Sequence, residues 1–242
     1  MNEVIPMKTR VILFDLDGTL LPMDFHVFVK AYFGEIAKRL AQHGYEPNVL
    51  IDGIWQGMHA MMKNDGKKRN EEVFWDTFVT VFGERARADE PHFERFYIED
   101  FDKVQAACGF DPKAAMTVAV LKEKGFRVAL ATNPVFPSIA TEKRMQWAGL
   151  NKDDFELFTT YENSRYCKPN LEYYKDILSQ LGVRAEECLM VGNDVSEDMV
   201  AAQLGMKVFL MPACLLNKDN KDVSAYPQGD FDDLLTYVES LL

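Results

Sequence analysis

The stretch VILFDLDGTLL, residues 11–21, is the feature that most constrains the fold of this chain. Its first four residues are apolar and two of them are β-branched, which is typical of a strand buried on both faces of a parallel sheet. The carboxylates of Asp15 and Asp17 follow at once, and Gly18 and Thr19 come next. Buried carboxylates need a compensating cation, and glycine lets backbone N–H groups turn toward an anion. The stretch therefore indicates a divalent metal and a phosphate at a strand end, although an ordinary Asp-Gly turn would leave the same pattern.

The composition of the chain argues against several classes of protein. Its 242 residues carry a formal net charge of −11, with 48% hydrophobic and 27% charged residues, as in ordinary globular domains. Nucleic acids and anionic membranes attract basic surfaces, so we expect neither as a partner. No apolar run reaches the length of a membrane span, the first eight residues lack the apolar core of a signal peptide, and the four cysteines lack the spacing of a zinc site. We therefore expect a cytoplasmic protein with free thiols.

After the opening strand, the apolar periodicity changes to that of helices. Apolar residues recur at i, i+3, i+4 and i+7 over 25–40 and again after Pro47. Asn70 has the character of an N-cap that opens a third helix, and Pro91 is typical of the first turn of a fourth. Residues 23–107 are therefore predicted to form a bundle of about four helices with its own small core.

From residue 111 onward, predicted strands alternate with predicted helices. The strands are expected at 126–131, 155–158, 188–191 and 207–211. A short helix is expected at 199–204, and Asp230 is expected to cap the last helix. This βαβ alternation predicts an α/β fold with a parallel, doubly wound sheet and right-handed crossovers. Residues 1–22 and 108–242 would form this core, and the helical block 23–107 would be an insertion in it.

Polar side chains stand where ligands bind in such a sheet, outside the carboxyl ends of the strands. Asp15 and Asp17 follow the first predicted strand. Six more polar residues follow the other strands or precede a helix: Thr132, Asn133, Lys168, Asn193, Asp194 and Asp198. We expect these side chains to converge on one rim of the sheet, where they combine carboxylates with a hydroxyl, amides and a lysine.

In these residues the chain resembles the haloacid dehalogenase superfamily of phosphohydrolases. Four motifs of that superfamily are matched in order: Asp-x-Asp-Gly-Thr at 15–19, Thr132, Lys168 with Pro169, and residues 192–194 with Asp198. Order and spacing agree over residues 10–212. The resemblance implies a Rossmann-like core. It also implies that the helical insertion is a C1-type cap, which acts as a mobile lid.

The resemblance implies a role for each residue of the rim. Asp15 would attack phosphorus and form an aspartyl-phosphate, and Asp17 would protonate the leaving alcohol and then take a proton from water. Thr132, Asn133 and Lys168 would bind the phosphoryl oxygens. Mg²⁺ would lie between Asp15, the backbone carbonyl of Asp17, an acid of the fourth motif and the phosphate. Because superfamily members that cleave carbon–halogen bonds lack the second aspartate, Asp17 favours phosphoryl transfer.

The fourth motif departs from the common Gly-Asp pattern, because Asn193 stands between the glycine and Asp194. Counting from the glycine makes Asn193 the metal ligand, whereas counting back from Asp198 makes it Asp194. A hard dication gains more from a carboxylate than from an amide, and an unpaired Asp194 would repel the phosphate. We therefore assign Asp194 to the metal and keep Asn193 as the alternative. Supporting roles are assigned to Asp198, Gly18 and Thr19.

Three functions are compatible with this sequence. The first, which we predict, is a Mg²⁺-dependent phosphatase acting on a small, soluble phosphorylated metabolite. The second is a phosphomutase of the same superfamily, which differs mainly in how the cap treats the leaving sugar. The third is a non-catalytic protein that binds a phosphorylated ligand or regulates by accepting a phosphate, and it would need neither Asp17 nor a large lid. The cap would select the substrate, and the sequence carries no signal for the substrate itself or for the oligomeric state.

Overall fold

A computed structural model describes residues 9–241, so the first eight residues, for which no signal peptide is predicted, and residue 242 lie outside the described part. Four strands of this part form one parallel sheet in the order β2-β1-β3-β4: Val11–Phe14 (β1), Arg127–Leu130 (β2), Cys188–Gly192 (β3) and Lys207–Leu210 (β4). Leu13 of the inner strand β1 pairs with Ala129 on one side and with Met190 on the other. The predicted α/β fold with a parallel sheet is confirmed.

Both faces of β1 are covered, as its continuous apolar sequence predicts. Ile12 and Phe14 join one hydrophobic cluster, and Val11 and Leu13 join another on the opposite face. Successive side chains of a strand point to opposite sides, so this short strand anchors two apolar layers. All four side chains are fully buried. The residue that follows the strand, Asp15, therefore stands at the rim of the sheet.

Four helices lie between β1 and the rest of the sheet in chain order, where the insertion is predicted. They are Phe25–Ala41 (α1), Pro47–Met62 (α2), Asn70–Phe82 (α3) and Arg85–Glu99 (α4), and a 3₁₀ helix follows at Phe101–Ala107. The prediction of a separate core is wrong, because apolar residues of these helices belong to the same cluster as Phe14. Large aromatic side chains join these helices to the segments that flank the sheet. Phe28 meets Phe136 edge to face, and the ring centroids of Phe101 and Trp147 lie 5.0 Å apart.

Four further helices lie on the two sides of the sheet: Pro112–Glu123 (α5), Ser138–Trp147 (α6), Leu171–Leu181 (α7) and Phe231–Glu239 (α8). Residues of α5, α6 and α8 join the cluster of Phe14, and residues of α7 join the cluster of Leu13. The sheet is thus doubly wound, as predicted. Asp230 accepts hydrogen bonds from the backbone N–H groups of Asp232 and Asp233, which confirms it as the cap of α8.

The strand predicted at 155–158 is not formed. Phe158 makes an isolated bridge with Leu130, and the N–H of residue 156 donates to the carbonyl of Val128 at 2.8 Å. The segment runs beside β2 only between a 3₁₀ helix at Lys152–Asp154 and the turn that begins at residue 161. Its backbone hydrogen bonds with β2 produce this single bridge rather than a regular strand.

Two predicted helices differ in detail. The helix predicted at 199–204 is a 3₁₀ helix, Met199–Leu204, rather than an α-helix. Helix α4 begins earlier than predicted, so Pro91 lies inside it and not in its first turn. Arg85 pairs with Asp89 at 2.9 Å across one turn, and Ala86 is fully buried. These contacts extend the helix ahead of the proline.

The helices also bear on the question of a membrane. Within residues 9–241, none of them is both long enough and apolar enough to cross a bilayer.

Candidate active site

Asp15 lies directly after β1, on the rim formed by the carboxyl ends of the parallel strands. Its backbone N–H donates to the carbonyl of Val191 at 2.9 Å, which fixes where the side chain leaves the sheet. Lys168 Nζ donates to Asp15 Oδ1 at 2.9 Å, and the Thr19 hydroxyl lies 3.2 Å from Asp15 Oδ2. Asp15 is only 7% exposed. The structure thus brings Asp15, Thr19 and Lys168 together, with a polar group within hydrogen-bond distance of each carboxylate oxygen of Asp15.

Lys168 joins two carboxylates in the interior. Besides Asp15, it donates to Asp198 Oδ1 at 2.6 Å, and the side chains of Lys168 and Asp198 are both 1% exposed. Burial alone would lower the pKa of Lys168, but the carboxylates of Asp15 and Asp198 raise it well above its usual value. Burial raises the pKa of Asp198, and the lysine acts in the opposite direction. The ammonium group therefore stays charged and links the end of β1 to the residues after β3.

The turn after Asp15 requires a glycine. Gly18 has φ +86°, and a Cβ atom there would lie 2.3 Å from Nδ2 of Asn193. Asn193 is buried, and its Nδ2 donates to the carbonyl of Cys214 at 2.7 Å. Its Oδ1 lies 3.1 Å from the Thr19 hydroxyl, which carries one proton and can donate to either Asn193 or Asp15. The close approach at Gly18 thus places the fourth motif against the first.

Asp194 is engaged in the turn that follows β3. Its Oδ1 atom accepts hydrogen bonds from the backbone N–H groups of Ser196 at 2.7 Å and Glu197 at 2.9 Å. Its own N–H donates to Asp198 Oδ2 at 2.9 Å. These bonds hold the half-buried Asp194 beside Asn193 at the rim, and they place Asp198 beneath the turn.

Thr132 and Asn133 follow β2. The carbonyl of Thr132 accepts hydrogen bonds from the hydroxyls of Thr159 at 2.6 Å and Tyr173 at 2.8 Å, which fixes the backbone here. Asn133 Nδ2 donates to Glu197 at 2.9 Å, whereas Asn133 Oδ1 is buried and has no hydrogen-bond partner in the described part of the chain. Burial raises the pKa of Glu197 to about 8. An orphaned buried oxygen is costly, so it indicates a partner that the described residues do not supply.

Asp17 pairs with Arg144, a residue outside the predicted motifs. Arg144 of α6 is fully buried, and its Nη1 atom donates to Asp17 Oδ2. Its Nε donates to the carbonyl of Ala140 at 3.2 Å, and its Nη2 donates to the hydroxyl of Thr141 at 3.3 Å. The guanidinium carbon lies 4.4 Å from the centroid of the Phe136 ring. Burial raises the pKa of Asp17, and the Arg144 guanidinium acts in the opposite direction.

The sequence does carry a signal for Arg144. The residue stands at helical spacing from Ala140 and Ala148 and next to Met145, all of which are buried, so it belongs to the apolar face of α6. Arginines are rarely fully buried without a partner. An arginine at such a position therefore predicts a buried acceptor, although the periodicity cannot identify which one.

Asn70 connects α3 to the loops of the site. The prediction that it is the N-cap is wrong: Arg69 occupies that position, with its N–H bonded to the Glu72 carboxylate at 2.8 Å, and Asn70 is the first helical residue. The Asn70 side chain is fully buried and finds its partners in the core instead. Its Nδ2 lies 3.2 Å from the carbonyl of Pro134 and 3.3 Å from Sγ of Cys167. It therefore touches the loops that carry the second and third motifs.

A cavity of about 570 Å³ lies between helices α1–α4 and the loop after β2. Aromatic rings form much of its wall, including that of Phe136, which packs on Arg144. The charged side chains that line it are all acidic: Glu71, Glu90, Glu94, Glu142 and Glu162. Burial, followed by the neighbouring Glu162, raises the pKa of Glu71. This wall suits an apolar or neutral group, and its acidic side chains disfavour an anionic group.

The rim fits a hard divalent cation. No three His, Cys, Asp or Glu side chains within residues 9–241 are gathered as a preformed metal site. The predicted set of metal ligands contains no more than two carboxylates, those of Asp15 and Asp194. The other protein ligand in that set is the backbone carbonyl of Asp17. All of these donors are oxygen atoms, which Mg²⁺ prefers. Acidic side chains also outnumber basic ones here without Glu197, with Asp15, Asp17, Asp194 and Asp198 against Lys168 and Arg144.

Comparison with known sequences agrees with the resemblance on which the site was predicted. A sequence model of the haloacid dehalogenase-like hydrolases matches residues 9–205. Pyrophosphatase PpaX of Bacillus cereus is 25% identical over 202 residues, which cover 81% of this chain and 80% of that protein. Glyceraldehyde 3-phosphate phosphatase of Methanothermobacter thermautotrophicus is 26% identical over 223 residues, which cover 88% of this chain and 90% of that protein.

Comparison with solved structures extends the likeness to the whole fold. The crystal structure of a 2-haloacid dehalogenase from Pseudomonas syringae superposes with a TM-score of 0.63, covering 96% of this chain and 98% of that one. The two sequences are 18% identical. A likeness at this identity concerns the fold alone, and it agrees with the predicted Rossmann-like core.

Proposed function

Because the chain belongs to the haloacid dehalogenase-like hydrolases, we propose that it hydrolyses a small phosphomonoester, with Mg²⁺ as cofactor, through an aspartyl-phosphate on Asp15. The family match and the two related phosphatases confirm the prediction of a phosphatase-type hydrolase. The ester, the metal and the covalent intermediate are our proposal.

The arrangement of Asp15 supports this proposal most strongly. Its carboxylate is held at the end of a buried strand, with Lys168 Nζ 2.9 Å from one oxygen and the Thr19 hydroxyl 3.2 Å from the other. Because the orientation of the nucleophile is already fixed, the nucleophile loses little further freedom when it reacts. The buried ammonium of Lys168 would also attract the phosphoryl oxygens and stabilise the charge that spreads over them in the transition state.

The first step would transfer the phosphoryl group to the protein. A carboxylate oxygen of Asp15 forms a bond to phosphorus while the bond from phosphorus to the ester oxygen breaks. Asp17, protonated at this stage, gives its proton to the departing alkoxide, which leaves as an alcohol. Thr132, Asn133 and Lys168 would bind the phosphoryl oxygens. For Asn133, this requires its Nδ2 to leave the Glu197 carboxylate to which it is bonded.

The second step would restore the enzyme. Asp17, now a carboxylate, removes a proton from a water molecule, whose oxygen bonds to phosphorus as the bond between Asp15 and phosphorus breaks. Inorganic phosphate leaves, and Asp15 and Asp17 return to their starting forms. Mg²⁺, held by Asp15, the Asp17 carbonyl and Asp194 or Asn193, would supply charge neutralisation at the phosphoryl oxygens.

We propose that residues 23–107 act as a cap that selects the ester and limits the access of water. The acidic wall of the cavity beside Phe136 favours esters whose leaving group carries no further negative charge. The substrate would then be a small phosphorylated metabolite of the cytoplasm. A cap of this kind would make small esters better substrates than phosphoproteins.

The test is a screen of the purified protein against a panel of small phosphate esters and one phosphoprotein, with and without Mg²⁺. The quantity measured is the release of inorganic phosphate. We expect at least one small ester to be hydrolysed, only with Mg²⁺, and faster than the phosphoprotein. Asp15→Asn protein serves as the control for contaminating phosphatases. Transfer of phosphate to another hydroxyl of the same sugar would identify a phosphomutase instead, and equal activity of the wild-type and Asp15→Asn proteins would contradict the proposal.

A further inference from the structure

We propose that Arg144 is a positioning residue, which fixes the carboxylate of Asp17 in the orientation needed for proton transfer to the leaving group. This inference rests on the proposed function, because it assigns Asp17 the role of general acid. Arg144 itself would not touch the substrate. Its contribution would pass through Oδ2 of Asp17, to which its Nη1 atom donates.

The surroundings of Arg144 leave its guanidinium little freedom. The side chain is fully buried, Nε donates to the carbonyl of Ala140, and Nη2 donates to the hydroxyl of Thr141. The Phe136 ring covers one face of the group, with its centroid 4.4 Å from the guanidinium carbon. A planar group held at two nitrogens and one face presents its remaining nitrogen in a defined direction. That nitrogen, Nη1, contacts Asp17.

The contacts of Asp17 show why this direction matters. Oδ2 accepts from Arg144, whereas Oδ1 is buried and has no hydrogen-bond partner within residues 9–241. Among the described side chains, the arginine is therefore the donor that orients the carboxylate. With Oδ2 occupied, Oδ1 is the oxygen left to carry the proton. A general acid must lie about 2.6–3.2 Å from the atom that it protonates, so rotation of the carboxylate would impair the transfer.

A purely structural ion pair is the rival explanation. Buried ion pairs are weak evidence for stability, because a hydrophobic replacement of similar volume is often neutral. The two explanations differ in how they depend on the leaving group. A structural defect lowers the rate for every substrate alike, whereas loss of proton transfer affects an alkyl phosphate, whose alcohol needs a proton, far more than p-nitrophenyl phosphate, whose phenolate leaves without one.

The experiment measures the rate of phosphoenzyme formation by rapid quench, for p-nitrophenyl phosphate and for the best alkyl phosphate of the screen. In Arg144→Met we expect the alkyl phosphate to react about 10²-fold more slowly, within the usual range of acid–base assistance, and p-nitrophenyl phosphate to slow less than about fivefold. Arg144→Lys keeps the charge without the planar fork, and we expect an intermediate ratio. Arg144→Lys keeps the buried charge and therefore decides the question if Arg144→Met does not fold.

Two controls make the result specific. Arg127→Met removes an ion pair with Glu156 away from the rim, where Arg127 Nε lies 2.7 Å from Glu156 Oε2, and we expect the ratio of the two rates to stay unchanged. In an Asp17→Asn background, Arg144→Met should cause no further change in the ratio, because the group through which it acts is gone. An equal loss for both substrates, or a selective loss that persists without Asp17, would overturn the inference and leave the proposed function standing. Wild-type protein that hydrolyses no ester would instead overturn both.

Discussion

Lys168 Nζ lies 2.9 Å from Asp15 Oδ1, although 153 residues separate the two positions in the sequence. The contact joins the loop before α7 to the end of β1 across the rim of the sheet. Because the ammonium is buried with Asp15 and Asp198, removal of one partner would leave an uncompensated charge in the interior. Removing one member of a buried ion pair costs about 3–5 kcal/mol, so each variant of this site needs a measurement of folding beside the measurement of rate.

Asp15→Asn should abolish phosphatase turnover and leave the protein folded. The amide has the shape of the carboxylate but cannot attack phosphorus, and Lys168 keeps its second partner, Asp198, at 2.6 Å. Phosphate release under saturating ester measures the first outcome, and thermal unfolding measures the second. Turnover at the wild-type rate in folded Asp15→Asn protein would remove Asp15 from the role of nucleophile.

Asn70→Ala should destabilise the protein by about 1–3 kcal/mol, the cost of leaving buried polar groups without partners. The change removes the acceptor of Asn64 Nδ2 at 2.9 Å and the donor to the Pro134 carbonyl at 3.2 Å. Urea unfolding measures the loss. The matched control is Asn48→Ala, since Asn48 is an exposed residue of α2, and we expect it to change the free energy of unfolding little. Equal effects of the two substitutions would show that Asn70 does not tie α3 to the site.

The pair of His43 and His92 should make the stability of the protein depend on pH. Their ring centroids lie 3.6 Å apart, and burial, followed by the neighbouring His92, lowers the pKa of His43 below its usual 6.5. The native state then binds fewer protons at His43 than the unfolded chain does, so stability increases with pH between the two pKa values. The contribution of His43 is complete above about pH 6.5 and is lost as the pH falls through the pKa of the folded state.

We therefore expect wild-type protein to lose more stability than His43→Gln when urea unfolding is compared at about pH 7.5 and about pH 5.5. His26→Gln is the control, because His26 is exposed on α1. It should lose as much stability as the wild type on acidification. An equal loss in His43→Gln would contradict the assigned cause.

The sequence was sufficient to predict the parallel sheet and the residues of its rim. An apolar run buried on two faces, followed at once by Asp15 and Asp17, is a local pattern, and the parallel sheet then places every strand end on one side. The same reasoning failed for residues 155–158, whose apolar residues run beside β2 without forming a ladder. A local pattern shows that a segment is buried, but it does not give the length over which the segment pairs.

The pairings of single side chains were beyond the sequence for a related reason. Periodicity places Arg144 on the apolar face of α6, but its partner Asp17 is 127 residues away. Asparagine is a residue type that favours the N-cap position. The buried side-chain amide of Asn70 instead contacts Pro134 and Cys167, because a buried amide needs hydrogen-bond partners. In both cases the tertiary contact determines the role, and the local preference does not reveal it.

The last prediction concerns the residue that binds Mg²⁺ after β3. We expect Asp194→Asn to raise the Mg²⁺ concentration for half-maximal activity by about tenfold or more, since even residues that only support metal ligands contribute about 10–100-fold. The reason is charge, because a carboxylate neutralises a dication better than an amide does. Titration of activity with Mg²⁺ at saturating ester measures the change. Asp194 Oδ1 also accepts two backbone N–H groups, which an amide oxygen can still accept, so the turn should survive.

Asn193 provides the decisive comparison, because in the hydrogen-bond network it lies closer than Asp194 to the nucleophile Asp15. The hydroxyl of Thr19 contacts both Asn193 and Asp15. If Asp194 is the ligand, Asn193→Ala should lower stability through the lost bond to the Cys214 carbonyl, at 2.7 Å, and change the Mg²⁺ requirement little. If Asn193 is the ligand instead, Asn193→Ala should weaken Mg²⁺ binding strongly, and Asn193→Asp should strengthen it by adding a charge. Strengthened binding in Asn193→Asp together with an unchanged requirement in Asp194→Asn would transfer the assignment from Asp194 to Asn193.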